Sequence, residues 1–130
     1  MDMRNKFYVD AVLPPEMKMV ELRVSTTAGT DDLTPASGKK IRMLGFHICS
    51  TVLSNLTSTL RATLAFGDDH TGTASKIVCS YRHINTDNPL CCSSTPLNVV
   101  GEIDEIVRLT NVTFSVGSVV SRAIVYYIEE

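Results

Sequence analysis

Gly38-Lys39-Lys40-Ile41-Arg42-Met43-Leu44-Gly45-Phe46-His47-Ile48-Cys49-Ser50 reads as a strand that begins abruptly after a loop. Pro35, Ser37 and Gly38 are turn formers, and the run behind them is apolar. Leu44, Phe46 and Ile48 fall on one alternating face. Ile41, Met43 and Cys49 fall on the other, where His47 is the one strongly polar member. A strand with one solvated face is visibly half polar, so this pattern predicts a central strand, or one with a second apolar contact such as a neighbouring subunit.

Upstream of it, residues 25–38 are polar and rich in Thr, Asp, Gly and Ser, and read as a long loop of the kind that is functional or orders on docking. Before that, Val20, Leu22 and Val24 alternate with Met19, Glu21 and Arg23, which fits a half-buried strand over 17–24. Residues 7–13 form a short β-prone run that Pro14-Pro15 stops, because proline cannot donate to a ladder. This run is expected to be an edge strand or part of an N-terminal arm.

Downstream, Thr51 to Ser58 reads as a Ser/Thr-rich connection. Residues 59–66 then alternate cleanly, with Leu60, Ala62, Leu64 and Phe66 towards the core and Thr63 on a solvated face. Residues 67–73 are a turn-rich tip, 77–81 a shorter strand, and 83–96 an irregular polar region that includes Cys91-Cys92. Leu97 to Val100 pairs briefly. The runs 106–116 and 122–128 flank Gly117-Ser118, a two-residue hairpin signal. The first of these slips phase near Thr110-Asn111, which predicts a β-bulge or a change of environment there. A helix over 98–109 is the one competing helical reading, from the spacing of Val99, Ile103, Ile106 and Val107. The fold expected is a single all-β domain over 1–130, an antiparallel β-sandwich of jelly-roll type with seven or eight strands and an arm at about 1–18.

Composition narrows the function classes. The chain has 130 residues, 44% of them hydrophobic and 20% charged, with a formal net charge of -2 and no Trp. That balance offers nothing to a phosphate backbone, so nucleic acid is not an expected partner. The N-terminal residues lack the uninterrupted apolar run of a secretory leader, and no stretch is long enough to span a membrane. Synthesis in the cytoplasm is therefore expected, and with it free thiols at Cys49, Cys79, Cys91 and Cys92. The sequons at Asn55 and Asn111 read as chance matches on the same ground.

No constellation carries chemistry by its spacing. His47-x-Cys49 and Cys79-x-x-x-His83 bring soft ligands near Cys91 and Cys92, but no zinc knuckle is present, and a satisfied histidine beside a buried thiol is the expected outcome. Asp68-Asp69-His70 reads as a solvated turn, since calcium needs six or more oxygens. Cys, His and Asp occur without a nucleophile elbow or a comparable motif, so no enzyme, cofactor or metal is expected. The Lys39-Lys40-x-Arg42 cluster reads as a solvated strand entry.

Ser37-Gly38-Lys39-Lys40-Ile41-Arg42-Met43-Leu44-Gly45 resembles the "aGKkIrVlg" strand opening of small β-sandwich proteins encoded among the structural genes of tailed bacteriophages and prophages. Ala62 to Asp68 and the closing strand 123–128 stand where that family has a strand end and an apolar C-terminal strand, so the likeness covers roughly 35–130. Residues 1–34 and 79–96 have no counterpart in it. The resemblance implies a virion structural protein, a capsid decoration (cement) or head/tail accessory protein, often trimeric on a capsid or tail. Its implied partners are further copies of itself and the major capsid protein or another virion protein, and it brings no catalytic residues. The 1–18 arm and the 25–38 loop are the segments such a protein would order on its neighbours. A carbohydrate- or receptor-binding jelly-roll module is the alternative, disfavoured by an aromatic fraction of 6%. Apolar character on both faces of the 41–49 and 123–128 strands predicts an oligomer interface that includes Ile41, Met43, Tyr126 and Tyr127.

Overall fold

The computed structural model describes residues 16–25, 28–54, 60–67, 75–83, 90–112 and 118–130. The expected 7–13 strand, most of the arm and all of the 67–73 tip but Gly67 lie outside them. Among the described residues nine strands run in chain order: β1 Lys18–Val24, β2 Gly29–Leu33, β3 Ile41–Ser54, β4 Leu60–Phe66, β5 Lys76–His83, β6 Leu90–Ser94, β7 Val99–Val100, β8 Val107–Val112 and β9 Ser118–Glu129. One sheet has the order β1-β9-β3-β6, with β7 also pairing β3; the other has the order β2-β8-β4-β5. All pairings are antiparallel. Leaving the two-residue β7 aside, the eight strands interleave between two four-stranded sheets so that first pairs with last, last with third, and third with sixth. That is jelly-roll connectivity, the double Greek key.

The core lies between the sheets. Phe66, Ile41, Met43, Ile48, Leu60, Leu64, Leu109, Val107, Val119 and Val125 are its largest fully buried side chains. Each contributes roughly 1.5–3 kcal/mol by leaving water.

β3 shows why its sequence looked apolar on both faces. Its ladder with β9 runs Met43↔Tyr127 and then Gly45↔Tyr126, skipping Leu44. This β-bulge reverses the phase, so Ile41 and Met43 before it and Phe46, Ile48 and Ser50 after it all turn to the core. One buried face, broken by a bulge, replaces the two buried faces expected. Gly45 is required at the bulge, since a Cβ there would come within 2.6 Å of Thr95 Oγ1 and 3.2 Å of the Ser94 carbonyl oxygen.

Several expectations need correction. The loop expected over 25–38 contains β2, an edge strand paired with β8, which Arg108 holds by a two-pronged ion pair from Nε and an amino group to Asp32, at 2.6 and 2.7 Å. The irregular 83–96 region contains β6. No helix forms over 98–109; β7 and a turn at 103–104 stand there, with Asp104 at φ 61°. β8 and β9 belong to opposite sheets and so are not the paired arms of the hairpin expected from 106–116 and 122–128; Gly117 lies outside the described residues. The β8–β4 ladder is continuous from Val107 to Val112, with no bulge near Thr110. The phase slip instead records Asn111, a polar residue only 1% exposed whose Nδ2 donates to the Val24 carbonyl at 3.5 Å. Thr63 is 1% exposed rather than solvated. It stands in a cross-strand row with Thr30, Thr110 and Ser80, at 3.1 Å from the Ser80 hydroxyl.

Candidate functional site

Alternation along β9 places Val119, Ser121, Ala123, Val125 and Tyr127 inward, and Val120, Arg122, Ile124, Tyr126 and Ile128 outward. The outward set carries four partly exposed apolar side chains on a central strand. Across the β1 ladder, Tyr126 faces Met19, which is 65% exposed, and Ile124 faces Glu21. Across the β3 ladder, Tyr126 faces Gly45 and Ile124 faces His47. Met19, Ile124, Tyr126 and Ile128 thus form an apolar patch on the outer face of the first sheet, and Thr95 takes the space that a side chain at Gly45 would occupy.

Of the four interface residues expected from the sequence, the structure brings only Tyr126 to this face. Ile41 and Met43 are wholly buried and Tyr127 is 8% exposed, all within the protomer core. The bulge at Leu44 accounts for the first two, and the strict alternation of β9 for the third.

The same face becomes polar towards the Ser50 end of β3. Arg122 lies directly opposite Arg23 on β1 and 3.8 Å from Glu21. Arg23, Cys49, Thr51, Val120 and Arg122 line a shallow depression of about 450 Å³. Like charges directly opposite each other on a ladder are unfavourable, and an anion seated between them would relieve the repulsion.

Beside the depression, Cys49 on β3 and Cys91 on β6 are cross-strand neighbours with Cα atoms 4.1 Å apart, and their sulfurs are bonded. The expectation of four free thiols is corrected for these two. Adjacent strands of one sheet place outward side chains in direct contact, and the intervening 83–96 region conceals that neighbourhood in the sequence. His47 Nε2 lies 3.2 Å from Cys49 Sγ, and the ligand atoms of His47, Cys49 and Cys91 all fall within 4.8 Å of one another. With the two sulfurs joined, the imidazole is the one metal ligand of the three still available.

The two sheets are tied from inside by hydroxyls. Ser50 Oγ lies 2.5 Å from the Tyr81 hydroxyl and 2.6 Å from Ser121 Oγ, with both serines fully buried. Burial pushes the Tyr81 phenol up to about 12, against the hydrogen bond from Ser50, so the network stays neutral and its role is structural.

No protein-family model matches the chain, and no curated protein does. Among solved structures it is similar to PirA, with 11% identity over 83% of this chain and 92% of that one and a TM-score of 0.39. A CBM4 structure gives 8% identity, 86% and 84% coverage and a TM-score of 0.38. The virus-like particle of the extra small virus of the giant freshwater prawn Macrobrachium rosenbergii gives 10% identity, 85% and 77% coverage and 0.35. The jelly-roll assignment rests on the strand order itself. No helix among the described residues is long and apolar enough to cross a membrane.

Proposed function

We propose that this chain is a non-enzymatic virion structural protein of the tailed-phage kind, a capsid decoration or head/tail accessory protein. In this reading it stabilises a particle by packing against neighbouring copies through the outer face of the β1-β9-β3-β6 sheet. The observation that carries it is the apolar patch of Met19, Ile124, Tyr126 and Ile128, set in register on two adjacent strands where a solvated sheet face would alternate to polar residues. The family resemblance of the β3 opening agrees with it and supplies a three-fold assembly as the expected number, with the major capsid protein as the further partner.

Light scattering at micromolar concentration should return three times the chain mass. Tyr126→Glu and Ile124→Glu should each weaken the assembly at least tenfold without unfolding the chain, because placing a charge in an apolar interface costs about 1.4 kcal/mol or more. A monomeric parent protein would sink this reading.

The Arg23/Arg122 depression favours a second reading, a receptor-binding module for acidic sugars. An array of sialylated and sulfated glycans distinguishes the two: binding that Arg122→Ala abolishes would place the chain with adhesins.

A further inference from the structure

We propose that Cys79 and Cys92 form a second disulfide, one that staples the two sheets of the sandwich together across its open edge. Adjacent cysteines on a strand point to opposite faces, so Cys91 and Cys92 cannot serve the same partner. Cys91 turns outward to Cys49. Cys92 pairs in register with Ile48, a core residue, and therefore turns inward. On the opposite sheet Cys79 pairs in register with Leu64, also a core residue, and packs against the core from β5. The two inward side chains therefore face each other between β5 and β6, each strand at the edge of its own sheet, and the Cys92 thiol is near enough to help raise the Cys79 pKa.

The environment sets the order of events. Burial, reinforced by Cys92, pushes the Cys79 thiol up to about 12, so Cys79 is the member that keeps its proton. Cys92 is exposed and meets the oxidant first. With a low-molecular-weight disulfide such as oxidised glutathione, the Cys92 thiolate attacks one sulfur, forms a mixed disulfide and expels one glutathione thiolate. Cys79, on losing its proton to solvent, attacks Cys92 Sγ and expels the second. Two protein thiols and one glutathione disulfide thus become one protein disulfide and two glutathione thiols.

The test uses the full chain, equilibrated in a glutathione redox buffer, alkylated and digested with trypsin without reduction. Cleavage places Cys79 in 77–82, Cys49 in 43–61 and both Cys91 and Cys92 in 83–108. The expected product joins all three peptides, and Cys92→Ser should release 77–82 as an alkylated peptide while 43–61 stays linked to 83–108. A chain with Cys79 alkylated in oxidising buffer, with Cys92 retained as a glutathione adduct, or with dimers linked through Cys92, overturns the proposal. So does persistence of the 77–82 link in Cys92→Ser.

Discussion

Met43→Glu is expected to unfold the protein, whereas Tyr126→Glu is expected to leave it folded. The two positions are neighbours across the β3–β9 region, since Met43 pairs with Tyr127 and Tyr126 with Gly45, yet they lie on opposite sides of the sheet. Met43 has no exposed surface and sits among Ile41, Val125 and Tyr127 in one apolar cluster. Losing a buried methionine costs about 2–5 kcal/mol on its own. An unpaired carboxylate in its place adds a penalty of several kcal/mol, so the sum approaches the roughly 5–15 kcal/mol that holds a domain together. Circular dichroism should show no cooperative melt for Met43→Glu and a melt within a few degrees of the parent for Tyr126→Glu. Were Met43→Glu to melt like the parent while changing only the assembled mass, β3 would face a neighbouring subunit and the bulge at Leu44 would be misplaced.

Reducing the Cys49–Cys91 bond should lower stability by about 4 kcal/mol, the chain entropy released when a loop closed over this separation is opened. The separation is 42 residues and encloses β4, β5 and the end of β3. Urea denaturation of a Cys79→Ser protein, in which this is the one intramolecular pair left to reduce, should shift its midpoint down by roughly 2 M on adding a phosphine reductant. Cys49→Ser, introduced into the same Cys79→Ser chain, should match the reduced protein. Coincident curves with and without reductant would show that the bond does not form in solution.

The strands that the sequence announces and those it conceals differ in what holds them. β1, β4 and β9 carry regular apolar alternation, because one face of each lies on the core. β2 and β6 do not. Gly29-Thr30-Asp31-Asp32-Leu33 has a single buried apolar residue, Leu33, and Leu90 to Ser94 is largely exposed. Both are edge strands, attached to their sheets by a side-chain link as well as by the ladder: Asp32 to Arg108 in one case, Cys91 to Cys49 in the other. A pattern search tuned to hydrophobic period has no purchase on such strands. The candidate site was legible for a related reason only in part. The apolar outward positions of β9 stand in the sequence, but without the bulge in β3 the inward and outward members of that strand cannot be told apart, and Ile41 and Met43 are drawn into the interface by mistake.

The place of β9 in the first sheet governs how the chain can acquire its structure. β9 is the last strand and lies between β1 and β3, which have no ladder with each other. Just past its end, Glu130 exchanges a pair of backbone hydrogen bonds with Lys40, the residue before β3. While the chain is being made, β1 and β3 therefore leave the ribosome with open edges and apolar faces, and stay so until residues 118–130 emerge. The partner sheet can begin earlier, since β4 and β5 are successive strands, but it too waits for β8. Assembly of the sandwich is thus a long-range event in which the nascent chain carries unsatisfied strands until β9 has emerged. Slow folding and a need for protection from self-association during translation follow from that order.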